Sequence, residues 1–106
     1  MIGFPERSTV PEVLFDTRWP DGSVQTFYSP SLIVEEYFEA GQVYPLADFV
    51  ARSRESLQIA GDRVRAKYGM GCAESAISIA RIEQAAARFT GTEGPAVTVE
   101  RFRRWA

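Results

Sequence analysis

The chain has 106 residues, 45% hydrophobic and 25% charged, the proportions of an ordinary globular protein. A net charge of −2 and a pI near 5.1 argue against a general nucleic-acid binder, whose affinity depends on neutralising phosphates. With no histidine and one cysteine, it excludes a Ser-His or Cys-His dyad of its own, a histidine metal ligand, an internal disulfide and a cysteine-built zinc or iron–sulfur site.

Residues 1–9 carry Gly3, Pro5, Ser8 and Thr9 without periodicity and read as a loose leader; residues 10–106 read as one domain. The leader lacks the basic and apolar regions of a signal peptide, and no apolar run nears the ~20 residues of a membrane helix. A cytoplasmic protein without membrane contact is expected.

Val13-Leu14-Phe15-Asp16-Thr17-Arg18-Trp19 alternates, with Val13, Phe15, Thr17 and Trp19 on one face. Pro20-Asp21-Gly22 follows, then a second strand, Ser23 to Tyr28. A three-residue loop pairs Trp19 with Ser23 and Phe15 with Phe27, Gly22 taking the left-handed position. A two-residue Asp21-Gly22 loop would instead pair Phe15 with Tyr28, but would put Pro20 where a strand N–H should donate. The three-residue loop is favoured.

Ser29-Pro30-Ser31 predicts a short helix with Ser29 as N-cap, Leu32, Ile33 and Tyr37 on its buried side, and Gly41 as its end. Tyr44-Pro45 opens a long helix. Its apolar stripe is Leu46, Phe49, Val50, Ser53, Leu57, Ala60, Val64 and Tyr68. Gly61 is either a weakness of about 1 kcal/mol or a close packing contact. After Gly69 and Gly71 a second long helix, Ala73 to Phe89, is apolar on most sides, with a polar edge at Glu74, Ser78, Arg81 and Arg88. Such breadth predicts burial on most sides, by the sheet or by a second subunit. Ala96 to Glu100 is a third strand that ends or bulges at Arg101-Phe102. The expected fold is α+β: a three-stranded antiparallel sheet, the N-terminal hairpin plus the C-terminal strand, packed on one short and two long helices.

Several segments together resemble one family. These are Arg18-Trp19-Pro20-Asp21-Gly22-Ser23, the Tyr28-Ser29-Pro30-Ser31-Leu32 start, Asp48-Phe49-Val50-Ala51-Arg52-Ser53-Arg54, and Arg63-Val64-Arg65-Ala66-Lys67-Tyr68-Gly69 leading into Cys72. Over residues 10–102 the chain resembles small bacterial proteins named for a nitrogen-starvation response. That family is found beside a nitrilase-centred gene cluster that also holds radical-SAM, acetyltransferase and flavoprotein genes. The resemblance implies a place in nitrogen-limited metabolism and brings no assigned catalytic residues. Gene neighbourhood speaks to pathway, not chemistry.

Candidate sites are few. Cys72, just before the second long helix, is a candidate reactive thiol if free helix N–H groups lower its pKa; a small packed residue is the ordinary reading of a lone cysteine. Arg52, Arg63 and Lys67 lie within about 60° of one another on a helical wheel and are candidate anion contacts, although Asp48, Glu55 and Asp62 lie among them and favour a solvated, salt-bridged surface. Ile79, Ile82 and Phe89 are the candidate interface. Glu35, Glu36 and Glu39 lack the pattern of metal ligands, so no metal and no cofactor are expected. Both long helices are too long for a helix-turn-helix, and Glu74 and Glu83 sit where phosphate contacts belong. Arg101, Arg103 and Arg104 with Phe102 and Trp105 could engage a strand of nucleic acid, or keep a sheet edge from pairing.

The expected function is that of a non-enzymatic accessory or regulatory protein acting through a protein partner or self-association, a homodimer included. The alternatives are a small-molecule binder or weak enzyme with a pocket between sheet and helices and a role for Cys72, and, last, a DNA-binding regulator.

Overall fold

The computed structural model describes residues 12–69 and 73–104. The leader, Cys72 and Trp105 lie outside them. The hairpin forms as its turn chemistry requires. Strand β1 (Val13–Arg18) pairs antiparallel with β2 (Val24–Ser29) in the register Phe15 to Phe27. Trp19 N donates to Ser23 O and Gly22 N to Trp19 O, both at 2.8 Å, and Gly22 has φ +87°. The three-residue loop is therefore the one adopted.

The serine-rich segment that follows behaves differently from expectation. Ser29 ends β2, and its hydroxyl donates to Ser31 O at 2.7 Å instead of capping a helix. Ser31 Oγ in turn accepts from Ile33 N. These local bonds satisfy the backbone as turns, so helix α1 is only Val34–Tyr37.

The sheet has four strands, not the three expected. The missing one is β3 (Val43–Pro45), an edge strand on β4 (Ala96–Arg104), with Val43 opposite Thr98 and Tyr44 opposite Val97. Three residues are too short to show alternation, and Pro45, read as a helix start, sits at the sheet edge where no strand N–H is needed. Pro45 is the N-cap of α2 (Leu46–Tyr68), not its first helical residue. The strand order is β2-β1-β4-β3, all antiparallel, so the C-terminal strand lies centrally beside β1. A register shift opposite Asp16/Thr17 leaves Glu100 as an extra residue, so the strand expected to end or bulge at Arg101-Phe102 bulges just before it and runs on to Arg104.

Helix α2 ends at Gly69, whose φ of +79° lets its N–H bond Arg65 O at 2.8 Å. Helix α3 (Ala73–Ala87) runs back along α2 and beside edge strand β2. Ser78 Oγ donates to Tyr28 O at 2.7 Å, which occupies an outward carbonyl of that edge.

One face of the sheet meets the helices. Val13, Phe15, Trp19, Phe27, Phe38, Phe49, Leu57, Ile82, Phe89, Val97 and Val99 form a continuous core. Trp19 is its joint. Its ring lies edge-on to Phe49 at 5.5 Å and stacked on Phe89 at 6.0 Å, and its Nε1 donates to Thr17 Oγ1 at 2.8 Å. On the opposite face Asp16 accepts from Thr26 Oγ1, Arg101 Nε and both Nε and a terminal nitrogen of Arg103, at 2.6–2.9 Å. One carboxylate thus ties β2, β1 and β4 together.

The long helices depart from their stripes. Tyr68 is 47% exposed and Val64 half-buried, because the end of α2 runs past the sheet. In α3 the buried face is Ser75, Ser78, Ile82 and Ala85, whereas Ala73, Ala76 and Ala80 are exposed and Ile77 is 51% exposed. Ser78, expected at the polar edge, faces the sheet. Small hydroxyls fit the close approach that a larger aliphatic would prevent.

Candidate functional site

The candidate site is the outer seam between α2 and α3. The two helices approach closely where Gly61 faces Ser75: a Cβ on Gly61 would stand 3.4 Å from Ser75 Cβ and Oγ. Gly61 is thus the close packing contact, not merely a weak helical residue. Because 3.4 Å is an ordinary van der Waals distance, Gly61→Ala is expected to stabilise the fold by about 0.5–1 kcal/mol through helix propensity. A higher melting temperature by circular dichroism checks this; a lower one would show that the helices cannot yield.

Two hollows line the seam. The upper one, about 690 Å³, is walled by Leu46, Ala47, Val50 and Ala51 of α2, Ala86 and Ala87 of α3, and Pro95. Its far rim carries Arg54 and Glu83, paired across the helices. Its walls are mostly apolar and small. The lower hollow, about 290 Å³, lies past this ion pair and is lined by Leu57, Gln58, Gly61, Asp62, Arg65, Ser75, Ala76 and Ile79. It is mixed in character, with an acid, a base and an amide above an aliphatic floor. Ser75 Oγ is buried at this level without a hydrogen-bond partner, as is Ser53 Oγ elsewhere on α2.

The residues singled out from sequence fall in separate places. Ile79 is half-buried in the lower hollow. Ile82 is 1% and Phe89 7% exposed, so both are spent within the chain's own core and leave little surface for a partner. Arg52 donates to Asp48 at 2.9 Å and to Tyr37 O at 2.8 Å and covers the Tyr44 ring. Arg63 reaches Ser31 Oγ at 3.2 Å, and Lys67 Nζ lies 5.9 Å from the Tyr68 ring centre. Each of the three cations thus has a neighbour of its own. Arg101 and Arg103 bind Asp16, Arg104 pairs with Glu35, and Phe102 packs toward Phe15. Glu35, Glu36 and Glu39 line a shallow depression with Tyr44 and Arg52. Among the described residues, no group of three or more acidic or cysteine side chains could hold a metal ion.

The largest electrostatic perturbation lies on the face of the sheet opposite the helices. The Arg103 guanidinium, helped by Thr26 and Arg101 and opposed by burial, holds the Asp16 carboxyl well below the usual carboxylate range. Ser23 lowers Asp21 through its hydroxyl and amide, and Glu55 raises Tyr37 by accepting its hydroxyl. None of these groups borders either hollow. The seam is hard to read from residue order because Ala47 and Ala51 lie off the apolar stripe of α2 and alanine marks neither a core nor a polar face. Gly61, as a glycine inside a helix, and Ile79, as a candidate interface residue, are the two signals in the sequence that fall on it.

A profile of the family described as nitrogen starvation-induced protein NitG matches residues 14–102. The chain belongs to that family. The match runs from β1 into β4 and so spans the whole sheet–helix unit of this NitG-family protein. No curated protein and no solved structure matches the chain. No described helix is long and apolar enough to cross a membrane.

Proposed function

We propose that this NitG-family chain is a non-enzymatic accessory or regulatory protein of the bacterial nitrogen-starvation response. It works in the cytoplasm, beside nitrilase-linked nitrogen metabolism, through contact with a second copy of itself. The upper hollow of the seam carries this reading. Ala47, Ala51 and Ala87 are exposed, and with Val50 and Ala86 they make an apolar trough between two helices. Small side chains let another helix approach closely. Arg54 and Glu83 stand at one level on opposite walls. A twofold-related copy therefore brings its glutamate to this arginine and its arginine to this glutamate, as an isologous interface requires.

Size-exclusion chromatography with light scattering tests this. Wild type is expected to elute as a dimer that dissociates on dilution, and Ala51→Glu as a folded monomer with an unchanged circular dichroism spectrum. Because Ala51 is an exposed helical position, glutamate costs the isolated fold little. A wild type that stays monomeric at every concentration would overturn the proposal. So would an Ala51→Glu protein that is still a dimer.

A further inference from the structure

We propose that the lower hollow binds a free α-amino acid with an aliphatic side chain. Three features converge on a zwitterion. Asp62 and Arg65 line the same hollow, three residues apart on α2, yet they are not bonded to each other, whereas the seven ion pairs of the described residues hold their partners within 3.1 Å. Neighbours at that spacing normally can meet. Here both line one hollow without pairing, an anion receptor and a cation receptor on the same wall. An α-amino acid presents a carboxylate and an ammonium on a single carbon, and fits between them.

The second feature is the end of α3. Ser75 lies in its first turn, where backbone N–H groups lack an i−4 acceptor and the helix dipole favours negative charge, although Glu74 of the same turn opposes it. The ligand carboxylate therefore sits between Arg65 and this turn, and its ammonium lies toward Asp62 and the Gln58 carbonyl. Third, the Ser75 hydroxyl is buried and unpartnered at the same level. Such a group is costly to leave unsatisfied, and a carboxylate seated in the hollow it lines offers it an acceptor.

Size and floor then select the side chain. At about 290 Å³ the hollow is at the small end of ligand pockets, which excludes a nucleotide or a folded peptide. Leu57, Ala76 and Ile79 provide an aliphatic wall for a branched hydrocarbon. Occupancy would join the first turn of α3 to the last turns of α2, and so tie the packing of the two long helices to the supply of reduced nitrogen. The inference does not rest on self-association, since the upper hollow and the lower one share no lining residue.

An NMR titration of isotopically labelled protein with L-leucine provides the test, read at the backbone amides of Gly61, Arg65, Ser75 and Ile79. Saturable shifts at millimolar leucine are expected. 4-Methylpentanoate and 3-methylbutylamine, which keep the hydrocarbon but lose one charge each, are expected to bind at least about tenfold more weakly. Arg65→Gln and Asp62→Asn, both exposed positions, should each lose about tenfold while the spectrum elsewhere stays unchanged. Gly61→Ala, which fills the floor beside Ser75, should weaken leucine without loss of fold. The monomeric Ala51→Glu protein should bind as wild type does. The proposal fails if leucine produces no saturable shift at these amides. It also fails if the singly charged analogues match leucine, or if neither charge substitution weakens it.

Discussion

Replacing Trp19 by alanine is expected to lower the free energy of unfolding by about 3–5 kcal/mol, the range for deleting a buried large aromatic. That is a third or more of the total for many domains of this size. The magnitude follows from position. Trp19 is 2% exposed and touches the sheet through Phe27, α2 through Phe49 and the end of the α3 segment through Phe89. No rearrangement of one neighbour can fill the space that three elements share. Its Nε1–H bonds Thr17 Oγ1, whose own hydroxyl donates to Gln25 O, so the ring also anchors the hairpin. Trp19→Phe keeps most of the packing but loses the indole donor, and should cost about 1–2 kcal/mol. Urea unfolding followed by circular dichroism measures both. Equal losses for the two substitutions would mean that the hydrogen bond, not the volume, carries the effect.

Asp16→Asn is expected to cost about 2–3 kcal/mol at pH 7. Asp16 is 3% exposed, so its charge is compensated almost wholly by Arg101 and Arg103 rather than by water. Those arginines remain partly exposed and can turn to solvent once the carboxylate is gone, which keeps the loss below that of a fully buried broken pair. The pH dependence has a definite sign. Pairing, with Arg103 foremost, lowers the folded-state pKa below the unfolded value of about 3.9. The stabilisation is therefore complete above that value and drains away as pH falls below it. Wild type should lose its advantage over Asp16→Asn between about pH 4 and the most acidic conditions at which the fold survives. Unfolding free energies of the two proteins in parallel from pH 7 to pH 2.5 read this out. A difference that stays constant over the whole range would remove the ion pairs as its source.

The Asp16 network shows why a polar residue in an alternating strand carries little information by itself. In sequence, Asp16 is simply the outward member between Phe15 and Thr17. It acquires meaning only because β4 returns between β1 and β3 and sets Arg101 and Arg103 beside it, 85 and 87 residues away. The same holds for the seam. A glycine inside a helix points to a close contact, but its partner, Ser75, lies on another helix and carries no apolar or charged signal of its own.

Residue order alone determined the elements whose causes are local. The Pro20-Asp21-Gly22 turn, the Phe15–Phe27 register, the two long helices, the glycine stop at Gly69 and the bulge near Arg101 all arise from constraints acting over a few residues. Tertiary structure decided the rest. It made a strand of Val43–Pro45 by offering it the open edge of β4, and it carried Tyr68 beyond the core by ending the packing of α2 early. It also turned Ser75 and Ser78 inward while leaving Ile77 at the surface. The physical reason is common to all three. Hydrophobic periodicity reports what a segment would bury, but which face is buried depends on how closely its neighbour approaches, and that distance is set by side chains from elsewhere in the chain.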